Sequence, residues 1–169
     1  MAERIGFIGL GYMGHGMAKN LVEKGFPLTV LAHRKREAVE DLKGRGATEV
    51  SSARALAEAS DIVVLCVTGS QQVEAVLNGP EGLASAGKAL LVIDCSTSEP
   101  AITVRLAGEL AGKGITLIDA PLSRTPKEAW AGTLDVMVGG AASDVRRARR
   151  CWRVLPAASS RPARPGPGT

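Results

Sequence analysis

The chain has 169 residues, 45% hydrophobic and 3% aromatic, with a formal net charge of +4. That is enough apolar material for one domain with its own core. No apolar run approaches the ~20 residues of a membrane span, and Met1 to Arg4 lead into the first strand without a signal peptide, so a cytoplasmic protein with no membrane partner is expected. The positive charge is uneven: residues 1 to 145 hold 14 Lys and Arg against all 17 Asp and Glu, a balance of −3. The other seven cations, Arg146, Arg147, Arg149, Arg150, Arg153, Arg161 and Arg164, lie at the C-terminal end. A mildly acidic body without a basic aromatic platform excludes a nucleic-acid reading. Three widely spaced cysteines with no CxxC indicate neither a disulfide framework nor a zinc site, and no metal is expected. Cys66 and Cys95 fall in apolar strands and read as buried small hydrophobes.

Arg4 to Ile8 reads as a short buried strand, followed by Gly9-Leu10-Gly11-Tyr12-Met13-Gly14. From Tyr12 onward, Met13, Met17, Leu21 and Val22 recur at helical spacing, and Gly25 with Pro27 marks the stop. A glycine-rich turn between strand and helix is a phosphate-binding device. Gly9 permits the tight turn, Gly11 lets the backbone approach a pyrophosphate, and Gly14 lets the helix pack close to the strand. The anion would rest on backbone N–H groups at the positive end of the helix dipole.

Leu28 to Ala32 forms a second strand and Glu37 to Lys43 a helix. Ala47 to Val50 is a short strand, Ala53 to Ala59 a short helix, and Ile62 to Val67 a continuous β-branched run. A helix follows from about Gln71 to Leu77, then a strand at Leu90 to Asp94, a helix at Pro100 to Gly112, and strands at Ile115 to Ile118 and Leu134 to Val138. Repeated βαβ units predict an α/β fold, a doubly wound parallel sheet of Rossmann type. In such a sheet ligands sit beyond the carboxyl ends of the strands.

At the end of the second strand stands His33-Arg34-Lys35-Arg36, with no acidic residue to hold a ribose 2′-hydroxyl. Three consecutive cations favour NADP over NAD. Arg34 is the main candidate for the 2′-phosphate and His33 and Lys35 are helpers. Lys35 and Arg36 also suit the solvated start of a helix. Val67 and Thr68 are placed to brush the adenosine and its ribose.

The string Phe7 to Asn20 resembles the N-terminal signature of the 3-hydroxyacid dehydrogenase family, which is related to 6-phosphogluconate dehydrogenase. The pattern of two apolar residues, then G-L-G-x-M-G-x-x-M-A-x-N, is met at every fixed position. The resemblance implies NAD(P)-linked hydride transfer between nicotinamide and a small 3-hydroxy acid or its aldehyde acid, in a homo-oligomer. It makes Leu10, Tyr12 and Met13 cofactor contacts together with the three glycines. Asp94-Cys95-Ser96-Thr97-Ser98-Glu99-Pro100 resembles the family's D-x-S-T-x-x-P segment. That implies Thr97 near the nicotinamide and Ser96 near the substrate, while Ser98 reads as a helix cap. Asp119-Ala120-Pro121-Leu122-Ser123 resembles the D-A-P-V-S-G-G substrate motif, with Arg124-Thr125 replacing the glycine pair. Ser123, Arg124 and Thr125 are therefore substrate candidates, Arg124 as a bidentate partner for an anionic end or as a solvent-facing loop residue.

The family's proton shuttle is a lysine in a G-x-x-x-K-x-x-N-N context, which no residue here matches; the last lysine is Lys127. No catalytic residue is therefore assigned. The chain is expected to be inactive alone, or a nucleotide-binding module without turnover. From about Arg146 the sequence turns to Arg, Pro, Ala, Ser and Gly without apolar periodicity. Disorder is expected from Pro156, dividing the chain into a dinucleotide-binding domain over 1–155 and a tail over 156–169, with the family's second helical domain missing. Such a composition is what a GC-rich gene gives in the wrong frame, so a frameshifted or truncated product is expected, with a genuine basic tail as the alternative. The sole tyrosine, Tyr12, lies in the turn, which excludes a Y-x-x-x-K short-chain dehydrogenase. No G-K-[ST] marks a nucleoside triphosphatase.

Overall fold

The computed structural model describes residues 3–32, 36–152 and 158–160. Its centre is a six-stranded sheet ordered β3-β2-β1-β4-β5-β6. The strands are β1 (Ile5–Ile8), β2 (Leu28–Leu31), β3 (Thr48–Val50), β4 (Ile62–Leu65), β5 (Leu90–Asp94) and β6 (Ile115–Asp119), and every pairing is parallel. The crossover helices are α1 (Tyr12–Glu23), α2 (Glu37–Gly44), α3 (Ala53–Ala59), α4 (Ser70–Asn78) and α5 (Pro100–Ala111). Each expected strand and helix up to β6 is present, shifted by a residue or two at its ends.

The apolar runs are continuous because both faces of the sheet are covered. Alternate residues go to opposite sides: Ile5, Phe7, Ile62, Val64, Leu91 and Ile93 pack with Met17 and Leu21 of α1 and Val39 and Leu42 of α2. Ile8, Val63, Leu65, Leu90 and Val92 pack with Leu56 of α3, Leu77 of α4 and Leu106 and Leu110 of α5. Gly6 is part of this arrangement, since a Cβ there would lie 2.3 Å from Leu56 Cδ2. The starts of β1 and β4 are tied together: the Asp61 carboxylate accepts the Arg4 backbone N–H at 3.0 Å, Nε at 3.1 Å and an Nη at 2.7 Å.

That guanidinium holds the Asp61 carboxyl down at about 2, against an ordinary 3.8. A carboxyl lowered in the folded state stabilises above its unfolded pKa and loses that contribution as pH falls through the folded one. Asp61→Asn should therefore cost under about 1 kcal/mol at pH 7, because the pair is part-exposed and screened. The difference from the unaltered chain should shrink between pH 4 and pH 2, as read by urea unfolding at several pH values.

Beyond β6 the expected strand at Leu134 to Val138 is present as β8, and around it the chain builds elements that the sequence reading did not anticipate. A second sheet runs β7 (Leu122–Ser123), β8 (Asp135–Val138) and β9 (Ala158–Ser160), antiparallel between β7 and β8 and parallel between β8 and β9. Helix α6 (Pro126–Ala131) lies between β7 and β8, and α7 (Ala142–Trp152) follows β8 and packs on β5 and β6. The arginine-rich stretch from Arg146, within the residues assigned to the domain, is helical through Trp152, with Ala148 buried in the core beneath the sheet and Val145 half-buried beside it. In the stretch from Pro156, where disorder is expected, Ala158–Ser160 pairs alongside β8, and the remaining positions lie outside the described residues. No helix among the described residues is long and apolar enough to cross a membrane.

Candidate coenzyme-binding site

The parallel register lines up the strand ends that build the site. Ile8 pairs with Leu65, Leu65 with Asp94, and Asp94 with Asp119, so the segments after β1, β4, β5 and β6 leave the sheet in one row. The chain changes direction between β1 and β4, which makes the gap beyond them the crevice of the fold.

Each glycine of the turn shows a distinct physical role. Gly9 sits at φ +102°, and a Cβ there would meet the Cys66 carbonyl oxygen at 2.2 Å, so only glycine fits between β1 and β4. A Cβ on Gly14 would lie 1.9 Å from the Gly9 oxygen and 3.0 Å from the Phe7 ring. Gly11 differs: its backbone is extended (φ −80°, ψ −161°), it is exposed, and a Cβ there would meet nothing within 4 Å. The protein requires Gly9 and Gly14 for itself, while the room at Gly11 is open to a ligand. No side chain caps α1, and its first turn carries no acidic residue. This is the condition under which a helix N-terminus receives an anion. Leu10 and Met13 are half-buried against the core, whereas Tyr12 is 84% exposed. Leu10 and Met13 therefore have only their backbone and part of a side chain to offer a coenzyme.

The loops after β4 and β5 are laced together. Val67 N–H donates to Ser96 Oγ at 3.0 Å, and Glu99 N–H donates to Ser70 Oγ at 2.8 Å. Ser96 is 3% exposed and its own N–H donates to Asp94 Oδ1 at 2.9 Å, so its hydroxyl acts first as a bridge between loops. Thr68 and Thr97 are exposed on the same rim. The expected capping role of Ser98 is corrected: Glu99 occupies the N-cap of α5 without a side-chain cap, and Ser98 Oγ donates to Asp94 Oδ2 at 2.8 Å. Asp94 is fully buried, so its oxygens compete for donors more strongly than an exposed cap would. Burial, and next the nearby Asp94 carboxylate, raises the carboxyl of Asp119.

Cys66 and Cys95 lie one residue beyond β4 and β5, at the floor of the row rather than inside the strands. Burial pushes the Cys66 thiol up to about 11 and Cys95 well above its ordinary value, which leaves both as poor nucleophiles. No group of three or more metal-ligating side chains occurs among the described residues.

The substrate candidates divide. Ser123 is exposed on β7 opposite Asp135. Arg124, at φ +82°, is the one non-glycine residue with positive φ among the described residues, at a position where the resembling motif has glycine. Its Nε donates to Asp135 Oδ2 at 2.6 Å, so an intramolecular carboxylate already meets the cation expected for substrate. Thr125 is the N-cap of α6: its N–H donates to Glu128 Oε2 at 3.0 Å and its hydroxyl donates to the same oxygen. That capping box, Thr125 followed three residues later by Glu128, was a readable signal for α6. It leaves the Thr125 side chain occupied by structure. His33, Arg34 and Lys35 lie outside the described residues. Arg36, next to them, is the N-cap of α2 and pairs with Glu49 at 2.8 Å and with Glu40.

Sequence reasoning missed the Asn20 contacts. Asn20 Nδ2 donates to Gly16 O at 2.8 Å, Ala129 O at 2.9 Å and Trp130 O at 3.3 Å, fixing α6 on α1. Gly16 makes the approach possible, because a Cβ there would lie 2.7 Å from the Ala129 backbone.

A family model described as the NAD binding domain of 6-phosphogluconate dehydrogenase matches residues 4–159. The chain is 44% identical over 138 residues to 2-(hydroxymethyl)glutarate dehydrogenase of Eubacterium barkeri, an alignment covering 80% of this chain and 45% of that enzyme. The solved structure of Mycobacterium tuberculosis 3-hydroxyisobutyrate dehydrogenase with L-serine has a TM-score of 0.88 at 30% identity, over 96% of this chain and 55% of that one. Psf3 in complex with NADP+ and 2-OPP gives 0.86 at 30% identity, over 94% and 56%. The chain thus spans about half the length of these relatives. It belongs to the family of the NAD binding domain of 6-phosphogluconate dehydrogenase and is similar to 3-hydroxyisobutyrate dehydrogenase and related hydroxyacid dehydrogenases.

Proposed function

We propose that residues 1–155 are a dinucleotide-binding domain that takes NADP in preference to NAD, as the coenzyme half of a 3-hydroxyacid dehydrogenase. The observation that carries this reading is the turn from Gly9 to Gly14, with open room at Gly11 beside an uncapped helix start. The backbone of Gly11 to Gly14 receives the pyrophosphate. Arg34, in the basic run between β2 and α2, supplies a two-pronged contact to the 2′-phosphate, with His33 and Lys35 as helpers. Val67, Thr68 and Thr97 border the nucleoside ends, and Ser96 holds their two loops in register. When bound, the nicotinamide supplies the hydride acceptor or donor. The substrate is a small anionic 3-hydroxy acid or aldehyde acid, held by Ser123 and Arg124, the latter steadied by Asp135.

The 169 residues contain no match to the lysine context that serves the family as proton shuttle. We therefore infer that they bind coenzyme without turning over substrate. Calorimetric titration should give a dissociation constant for NADPH at least ~10-fold below that for NADH, the scale of one charge-assisted contact to phosphate. Tighter NADH binding overturns the NADP assignment. In the same sample, hydride transfer to 3-hydroxyisobutyrate, serine or glycerate should stay at background; turnover would place a proton-transfer group within these residues.

A further inference from the structure

The loop between β5 and α5, residues 95–99, is held from one buried side chain. Asp94 ends β5 with no exposed surface, and both of its oxygens are spent on the loop that it opens. Oδ1 accepts the Ser96 N–H at 2.9 Å and Oδ2 accepts the Ser98 hydroxyl at 2.8 Å. The first of these bonds closes an Asx turn, and the second carries the hold two residues further. The middle of the loop is tied to the segment after β4 by Ser96 Oγ, which accepts the Val67 N–H at 3.0 Å. Its far end is tied to the start of α4, where Ser70 Oγ accepts the Glu99 N–H at 2.8 Å. The two loops also touch at Gly69, where an added Cβ would lie 3.6 Å from the Thr97 carbonyl oxygen.

Thr97 stands apart from this lacing. Ser96 and Ser98 turn their hydroxyls to protein partners, whereas the Thr97 side chain is exposed and makes no hydrogen bond among the described residues. The topology says which part of a dinucleotide such a hydroxyl meets. In a doubly wound sheet the adenosine ribose lies off the end of β2 and the pyrophosphate on the turn after β1, so the nicotinamide half extends the other way, over the ends of β4 and β5.

We infer that Asp94 is a positioning residue for the nicotinamide half of the coenzyme: by holding Ser96 and Ser98 it presents the Thr97 hydroxyl at a fixed place beyond β5. This rests on the coenzyme reading above, though not on the choice between NADP and NAD. Because Asp94 is fully buried, solvent does not compete for either oxygen, and the two bonds keep the loop in one geometry.

The test is calorimetry with NADPH, NADH and ADP on the unaltered chain, Ser98→Ala, Asp94→Ala, Asp94→Asn, Thr97→Ala and the double variant Thr97→Ala/Ser98→Ala. ADP carries the adenosine and the pyrophosphate without a nicotinamide end, so it reads the rest of the site alone. Ser98→Ala should weaken the tighter-binding dinucleotide by ~3- to 10-fold, the scale of one hydrogen bond, and leave ADP within about twofold. Asp94→Ala should weaken it by at least as much; if that variant fails to fold, Ser98→Ala decides. Asp94→Asn keeps Oδ1 for the Ser96 N–H and offers Nδ2 to Ser98 Oγ, so it should bind within about twofold of the unaltered chain. The double variant should be no weaker than Thr97→Ala, because Ser98 acts through Thr97. Equal weakening of ADP and dinucleotide would mark a general loss of structure and overturn the inference. Unchanged dinucleotide binding by Ser98→Ala, lost binding by a folded Asp94→Asn chain, or additive losses in the double variant would each do the same. If the unaltered chain binds none of the three ligands, the coenzyme reading itself fails; if it binds them and any of those outcomes appears, only this inference falls.

Discussion

Gly11→Ala should leave the folded chain almost as stable as before and lower coenzyme affinity by at least ~10-fold. The backbone there is extended, a conformation open to any residue, and the added methyl meets no protein atom within 4 Å. The folding cost is the poorer N-cap, a few tenths to ~1 kcal/mol, which in a chain of this size lowers Tm by roughly 2–4 °C at most. On the proposed reading the coenzyme meets a different situation, since the methyl would stand where the backbone of the turn receives the pyrophosphate. Gly14→Ala gives the opposite balance. Its Cβ would sit 1.9 Å from the Gly9 carbonyl, so the turn or the helix must move, at a cost of about 1–3 kcal/mol before any ligand is added. Thermal unfolding beside NADPH calorimetry separates the two. Undiminished binding by a folded Gly11→Ala chain would remove the phosphate from this turn and with it the functional reading.

The contrast between those two glycines shows what linear sequence carries. The order of strands and helices up to Asp119 was readable because a parallel sheet covered on both sides demands runs such as Ile62 to Leu65 and Leu90 to Asp94, which nothing else in a short chain explains. The glycine roles were readable because each follows from where a Cβ cannot go. Past β6 the strand at Leu134 to Val138 was readable too, but β7 and α6 were not, since β7 has two residues and α6 has six, too few to show a period. Sheet pairing between residues 136 and 158 depends on which distant backbone is free to bond, and no side-chain pattern announces it.

Side-chain allegiance was the other illegible layer. Ser96, Thr125 and Arg124 carry the residue types expected to grip a substrate. The fold engages all three, through the Val67 N–H, Glu128 and Asp135 respectively. His15 is the converse case. It had no carboxylate nearby in sequence, yet a partner 26 residues away arrives once α1 and α2 lie side by side on the same face of the sheet. A residue's type limits what it can bond, and the topology decides which bond it makes.

Asn20→Leu should lower the stability of the chain by about 2–3 kcal/mol, a fall in Tm of roughly 5–9 °C at this size. Asn20 is 7% exposed and its amide nitrogen is the buried donor that reaches Ala129 and Trp130 at the end of α6, where helical carbonyls lack intrahelical partners. Leucine keeps the volume and removes the donor, so Ala129 O keeps only the Gly132 N–H at 3.4 Å and Trp130 O only Lys19 Nζ at 3.3 Å. Asn20→Asp should be at least as damaging at neutral pH, since it turns acceptor toward acceptor. The loss should also be local before it is global. Amide exchange in residues 126–133 should speed up more than in β1 or β4, because α6 is held to the sheet through α1 rather than by strands of its own. That places the family-like Met-Ala-x-Asn ending of the glycine motif in a structural role: it docks the segment carrying Ser123 and Arg124 onto the helix that the glycine turn opens. An Asn20→Leu chain with unchanged Tm and unchanged exchange over 126–133 would show that α6 is fixed by something other than this amide.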